Sequence, residues 1–369
     1  MEHHRPVHVC LTGGPCAGKT SALTHLYDHL TARGWRVIIV PEAATIVLGA
    51  SGRLEVERTA AYFVAAQEAI LTLQRDLPTI LGGVLNGGEE KVVFLHDRAE
   101  LDNRAYLEER LFTELIERTH GLTPWAVGER YDAVIHLITA AEGAEEAYSL
   151  SNNEARTESP EQARALDEAC RRAWLGHPHY TVIPNEGDFD GKLTRTLQAV
   201  LNVLGEPEPV EVERKWLLSE EPDVGSLSAT PVHIEQHYLT PPPGGEEEVR
   251  VRKRTVGEHT THYRTTKSAG PDAATRIERE ELISAETYHQ LLAYRDDATE
   301  PIVKTRWCFV HGGQHFELDH LISPVDLWML EAELVEPHQA VTPPESLGSL
   351  REVTEDPAYR NSALARHKN

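Results

Sequence analysis

What most narrows the possible folds of this chain is a change of pattern at residues 205–209, GEPEP. Before it, short apolar runs alternate with helical segments. VHVCLTGG, WRVIIVPE, KVVFLHDR, DAVIHLIT and YTVIPN read as buried parallel strands. Between them SALTHLYDHLTAR, RTAAYFVAAQEAILTLQRDL, NRAYLEERLFTELIERT and SPEQARALDEACRRAWLG space their apolar residues as helices do, and GKLTRTLQAVLNVLG closes the series. This alternation predicts a doubly wound α/β domain, a parallel sheet with flanking helices. After Pro209 the period becomes two: EVERKWLL, HIEQHYLT, EEVRVRKRT, THYRTTKS, TRIEREELI, IVKTRWCFV, HFELDHLI and LWMLEAELVE, broken by Pro- and Gly-rich turns and by one helix, SAETYHQLLAYR, with Ser284 as its N-cap. Many such strands predict an antiparallel β-barrel or tunnel with helices. The expected boundaries are 1–205 for the first domain, 206–209 for the linker and 210–369 for the second.

Composition excludes several classes. A formal net charge of −23 over 369 residues argues against broad, non-specific attachment to nucleic acid or anionic membrane, though it leaves room for a local basic groove. Cys10, Cys16, Cys170 and Cys308 are scattered and form no CxxC pair, so neither a disulfide framework nor a zinc site is expected. No signal-peptide pattern and no run of membrane-spanning length occurs, and a cytoplasmic setting is expected.

Residues 13–20, GGPCAGKT, satisfy G-x-x-x-x-G-K-[ST] between an apolar strand and an amphipathic helix. Gly13, Gly14, Pro15, Cys16, Ala17 and Gly18 would form the nucleotide-binding loop, its glycines letting backbone N–H groups turn inward around phosphates; Lys19 would reach the β/γ-phosphates and Thr20 would ligate Mg²⁺. Asp97 ends a strand, where a carboxylate acts on Mg²⁺ or on an acceptor hydroxyl. Glu42 ends the preceding strand as a base or substrate contact, and Asp102 reads as an N-cap. Residues 153–174 read as a lid whose Arg156 swings toward the nucleotide. Arg164, Arg171 and Arg172 read as solvated helix charges, and His177 and His179 as structural or surface histidines.

The stretches GGPCAGKT, VPEAA, HDR-x-x-LD, AAEGAEEAYSLSNNEARTESPEQARALD and WLGHPHYTVIPN resemble the AAA-type NTPase domain related to nicotinamide-riboside kinases, in its TRPL-translocation-defect version, over about residues 5–203. The resemblance implies ATP or GTP binding and leaves the acceptor open.

In the second half, ionisable groups recur at alternate positions: Glu211, Glu213 and Lys215; Arg250, Arg252 and Arg254; Arg276, Glu278 and Glu280; Lys304 and Arg306; Glu317 and Asp319; Glu331 and Glu333. A solvated outer face would alternate too. The signs, however, segregate into a basic and an acidic set, and the intervening residues are apolar enough for an outer core beneath flanking helices. The expectation is a lumen with a basic and an acidic wall, filled by a polyphosphate and divalent cations, because buried unpaired charge is costly.

The ordered set ExExK (211–215), VRVRKR, the strand bearing Lys267, RIERE, IVKTRW, FELD and LEAELVE, followed by EVTEDPAYRNSALA, resembles CYTH domains, the triphosphate tunnel metalloenzymes, over about residues 208–369. That resemblance implies Mg²⁺ or Mn²⁺ on Glu211, Glu213, Glu317, Glu331 and Glu333. It implies triphosphate grips at Lys215, Arg250, Arg252, Lys267, Lys304 and Arg306, with Arg254 and Arg276 as further candidates nearer the strand ends; Asp319 reads as a further metal ligand or a salt-bridge partner. The expected activity is a phosphoanhydride hydrolase fused to an NTPase or kinase-like domain, with Lys19, Asp97, Glu42 and Arg156 in the catalytic set of the latter. Two alternatives stand beside it: a nucleotide-switched module for a phosphoinositide, and an enzyme acting on RNA 5′-triphosphate ends.

Overall fold

The computed structural model describes residues 5–51, 59–84, 91–147, 159–206, 213–241, 248–269, 276–336 and 339–366. The chain divides into two compact units, 1–200 and 201–369.

The first unit runs β1 (Val7–Thr12), α1 (Lys19–Ala32), β2 (Arg36–Val40), α2 (Ala43–Ser51), α3 (Ala60–Gly82), β3 (Val92–Asp97), α4 (Glu109–His120), α5 (Pro124–Gly128), β4 (Ala133–Leu137), α6 (Pro160–Ala173), β5 (Tyr180–Ile183) and all but the last turn of α7 (Phe189–Leu204). Its strands pair in the order β2-β3-β1-β4-β5, all parallel. As expected, this is a helix-flanked parallel α/β sheet; α2 is a helix that the sequence pattern did not bring out. Because β1 has β3 on one side and β4 on the other, their carboxyl ends frame the crevice in which open α/β sheets bind ligands. α1 buries Ala22, Leu23, Leu26 and Leu30, a spacing of three and four that puts them on one stripe. α6 starts with Pro160 in its first turn and a reciprocal box between Ser159 and Gln162, which satisfies backbone N–H groups that the helix itself leaves unpaired.

The second unit contains β6 (Glu213–Leu218), β7 (Thr230–Leu239), β8 (Glu248–Val256), β9 (His259–Ala269), β10 (Arg276–Ile283), α8 (Ala285–Leu291), β11 (Ile302–His311), β12 (Gln314–Ser323), β13 (Leu327–Glu333), β14 (Leu350–Glu352) and α9 (Asn361–Leu364). The strands form one antiparallel sheet in the order β10-β9-β8-β7-β11-β12-β13-β6-β14. This is the expected large antiparallel domain, separate from the first. Among the described residues no ladder joins β10 to β14.

The two faces of this sheet divide by parity. One packs Trp216, Leu218, Phe309, Phe316, Leu318, Leu330 and Ala332 against Leu347. Each such large side chain, fully buried, contributes about 2 kcal/mol. The expected cover of helices is only partly present. α8 sets Tyr288 against Val249 and Val251, while short turns around Val224 and Leu347 cover the rest. The other face carries the alternating charges. One end of that face is apolar: Tyr238, Ile302, Leu321 and Met329 pack against Leu364 and Ala365 at α9, and the Ala365 carbonyl accepts the Glu300 N–H at 2.7 Å.

Candidate functional site: phosphate loop and charged sheet face

In the first unit the loop 13–18 joins β1 to α1, and its shape is fixed from outside by a residue far along the chain. Asp167, on α6, accepts the Gly14 N–H at 2.7 Å and the Thr139 N–H at 3.0 Å. A Cβ at Gly14 would lie 2.8 Å from the Asp167 Cβ, so only glycine permits this approach. His136 Nε2 and Arg171 Nε approach the second carboxylate oxygen at 3.1 and 3.4 Å. Burial would raise this carboxyl, but His136, Arg171 and the Gly14 amide more than reverse that and hold it at about 2. The sequence reading missed Asp167. Its signal was an acid within the buried stripe Ala163, Asp167, Cys170 and Ala173.

The same geometry corrects the reading of α6. Arg171 is buried and pairs with Asp167, Glu142 and Glu168. Arg164 donates to the Ala141 carbonyl at 2.8 Å, and only Arg172, paired with Glu168, is a solvated helix charge. His177 is buried with the Tyr131 carbonyl 3.1 Å from Nε2. Arg156 lies outside the described residues.

Lys19 Nζ folds back on the loop, 3.3 and 3.4 Å from the Gly13 and Gly14 carbonyls. Burial, with Arg98 adding to it, pulls its pKa below the ordinary range. Asp97 stands at the end of β3 with Oδ1 buried and without a hydrogen-bond partner. Burial and neighbouring Glu42 raise this carboxyl against the pull of Lys19. Glu42 is tied down by Arg98 Nε at 3.0 Å and by the Thr45 hydroxyl at 2.5 Å. Burial would raise it, but Arg98, Thr45 and Lys19 keep it ionised. Arg98, at φ 68°, also reaches Cys170 Sγ at 3.4 Å. Asp102 is not an N-cap as expected: it sits third in the turn Glu100–Ala105, accepting the Ala99 N–H at 2.8 Å and the Thr12 hydroxyl. Arg98 thus stands between Glu42 and Asp102, at 3.0 and 3.9 Å, and Asp97 keeps an open valence. With Thr20 exposed on the first turn of α1, the donors are those a hard divalent cation takes, carboxylate and hydroxyl oxygen.

On the charged face of the second unit, Arg306 is a hub. Its Nε and Nη2 each lie 2.7 Å from an Asp319 oxygen, Nη2 is also 2.7 Å from Glu331, and Nη1 donates to Glu317. Lys304 reaches Asp319 at 2.5 Å. Lys215 reaches Glu331 at 2.8 Å and Glu213 at 3.0 Å. Asp319 is 0% exposed, Lys304 4% and Glu331 6%. Burial would raise the Glu331 carboxyl, yet Lys215, Lys304 and Arg306 hold it well below the usual carboxylate range. Glu331 and Glu213 in turn raise Lys215 against the effect of burial. Lys304 goes the other way: burial and neighbouring Arg306 lower it despite Asp319.

This arrangement corrects the expectation of a basic wall facing an acidic one. Basic β11 and acidic β12 are direct ladder neighbours, and the charges pair side by side along the sheet. Arg252 likewise reaches across β9 to Glu280 at 2.7 Å, with the Thr265 hydroxyl 2.9 Å from the same carboxylate. Arg250 is buried on this face, and half-buried Lys267 sits opposite Glu248 in register. Glu333 is exposed at the end of β13, opposite Glu213. Glu211 lies outside the described residues, as do the side chains of Arg276 and Glu278. Glu280, one of the alternating charges, holds Arg252. Gln236 was missed: on the inner face of β7 it is buried with Nε2 lacking a partner.

Among the described residues no three His, Cys, Asp or Glu side chains gather as a ready metal cage. The donor chemistry nonetheless suits a hard cation: Glu317 and Glu331 are register partners that already share one cation, Arg306. Among the described residues no helix is long and apolar enough to cross a membrane.

Comparisons with known proteins divide in the same way. The family model described as AAA domain matches residues 8–192. The crystal structure of the inorganic triphosphatase NE1496 is similar over 43% of this chain and 95% of its own, at 31% identity and a TM-score of 0.31. The structure of the PH1819 protein from Pyrococcus Horikoshii OT3 is similar over 34% of this chain and 78% of its own, at 22% identity and a TM-score of 0.28. No curated protein matches the chain. The translocation-defect resemblance drawn from the sequence is carried by none of these.

Proposed function

The chain belongs to the AAA-domain family, and we propose that its first unit binds ATP or GTP with Mg²⁺ and turns over the terminal phosphate, while its second unit hydrolyses a triphosphate on the charged face of its sheet. The observation that carries the second half is the largely buried network of three cations (Lys215, Lys304, Arg306) and four carboxylates (Glu213, Glu317, Asp319, Glu331), of which Glu213 is the most exposed. Apolar residues of similar volume would often stabilise such an interior as well or better. Its ionisable groups therefore point to a ligand.

In the first unit, Lys19 exchanges the Gly13 and Gly14 carbonyls for β- and γ-phosphate oxygens. Asp97, with its open valence, and Thr20 would hold the cation, which when bound supplies charge neutralisation at the transferring phosphoryl group. Glu42 acts through Arg98, fixing the guanidinium beside the acceptor position. Whether that acceptor is water or an organic hydroxyl decides between NTPase and kinase.

In the second unit, the resting network nearly neutralises itself, so a polyanion gains little unless the carboxylates receive other counter-ions. Glu213, Glu317 and Glu331 would then hold divalent cations, which supply neutralisation and polarisation of phosphoryl oxygens. Arg306 and Lys215, released from these acids, join Lys304, Arg250, Arg252 and Lys267 on the phosphate oxygens. Water adds to the terminal phosphorus as the bridging P–O bond breaks, and these cations stabilise the charge that develops. Tripolyphosphate, nucleoside triphosphates and organic triphosphates share this chemistry.

The first half is tested by equilibrium binding of ATP and GTP with Mg²⁺ to the unaltered chain and to Lys19→Ala. We expect at least one nucleotide to lose 100-fold or more in affinity for the first unit. Equal nucleotide binding by both proteins contradicts the assignment.

A further inference from the structure

The described site accounts for phosphates and leaves the nucleoside unplaced. We infer that the ring of Phe189 is the platform on which the base of the bound nucleotide stacks, an assignment that rests on the nucleotide reading above. Strand order fixes which side the base must take. The loop 13–18 follows the central strand β1. The acids Glu42 and Asp97 follow β2 and β3 on one flank, and β4 and β5 lie on the other. Asp97 ends β3 in register with Leu11 of β1, beside the strand that leads into the phosphate loop, so the terminal phosphate faces the acid flank. The nucleoside then extends toward the loop after β5.

That loop, though exposed, is tied down by side-chain hydrogen bonds on both sides. Asn185 Nδ2 donates to the carbonyls of Thr139 and Glu142 at 2.8 and 2.7 Å. Lys192 Nζ binds Asn185 Oδ1 at 2.7 Å and the carbonyls of Ile138 and Ala17 at 2.6 and 2.9 Å, tying this loop to the phosphate loop itself. Arg195 holds the Pro184 and Glu186 carbonyls at 3.2 and 2.7 Å. All this precision delivers one apolar side chain. Phe189 stands at the start of α7, 48% exposed, with its ring against Gly18. A Cβ on Gly18 would lie 2.7 Å from that ring, so the phosphate loop and the ring approach as closely as a glycine allows. A half-exposed phenylalanine adds little to a core. Held beside a phosphate loop, it offers a π-face to any base, and stacking of this kind is tolerant of base identity.

The test uses the full-length chain and counts only binding that Lys19→Ala abolishes, which removes any contribution of the second unit. Phe189→Ala is expected to weaken Lys19-dependent binding of ATP or GTP about tenfold while leaving Lys19-dependent binding of tripolyphosphate unchanged. Phe189→Trp is expected to retain nucleotide affinity, with its fluorescence quenched by nucleotide and not by tripolyphosphate. Unchanged nucleotide affinity in Phe189→Ala, or an equal loss for tripolyphosphate, overturns the platform and makes the ring a support of the loop. If the unaltered chain shows no Lys19-dependent nucleotide binding, the nucleotide reading itself falls, and this inference with it.

Discussion

The phosphate loop and the charged sheet face both handle phosphate in this account, but they wait for it in opposite ways. The loop is held by contacts that ligand binding need not disturb: Asp167 fixes Gly14 from beneath, Lys192 fixes Ala17, and Asp97 keeps an unpartnered oxygen. The sheet face has its charged groups already engaged with one another, Arg306 alone touching three carboxylates. Binding at the loop exchanges only the contacts of Lys19 with the Gly13 and Gly14 carbonyls and otherwise adds to a preformed frame, whereas binding at the sheet must exchange buried ion pairs for new ones. The first arrangement favours affinity. The second favours selectivity, since a ligand has to bring both enough negative charge for the released cations and cations for the released acids.

Substitutions that remove one partner should separate the two designs. The largest expected effect is at Asp319, which is fully buried and neutralises both Lys304 and Arg306. Asp319→Asn leaves buried cations under-compensated and is expected to cost the second unit about 3–5 kcal/mol. In calorimetry the transition of that unit should fall well below its position in the unaltered chain; an unchanged transition would mean the network is open to water and ions.

A smaller effect is expected at Asp167. Its carboxyl is held at about 2, against an ordinary value of about 3.9. A depressed carboxyl contributes stability that is complete above its unfolded value and is lost as pH falls toward the folded one. The window is therefore roughly pH 4 down to pH 2, and the contribution is about 2 kcal/mol. The first unit of Asp167→Asn should lose less stability across that window than the unaltered unit does. Parallel losses in the two proteins would place its role elsewhere.

What the sequence made legible follows from the range of the interactions. The loop 13–20 is local, its spacing alone specifies strand, turn and helix, and the charged face of each strand is fixed by a period of two. The pairing of the charges was not legible, because it depends on register. β11 and β12 meet through the turn at Gly312 and Gly313, which sets Arg306 opposite Asp319, and the ladder shifts between Val303 and Lys304. Segregated signs along the sequence consequently became paired signs across a hairpin. Asp167 escaped notice for a similar reason: its partner Gly14 is 153 residues away, and nothing local marks an acid in a helix as a brace for a distant loop.

The central claim, that the paired charges of the sheet face are a triphosphatase centre independent of the phosphate loop, is tested most directly by phosphate release. Tripolyphosphate is offered with Mg²⁺ or Mn²⁺ to the unaltered chain, to Lys19→Ala and to Glu331→Gln. The account predicts metal-dependent release by the first two and a loss of at least 100-fold in Glu331→Gln, whose folded first unit still binds nucleotide. Release that survives Glu331→Gln and vanishes in Lys19→Ala would contradict it.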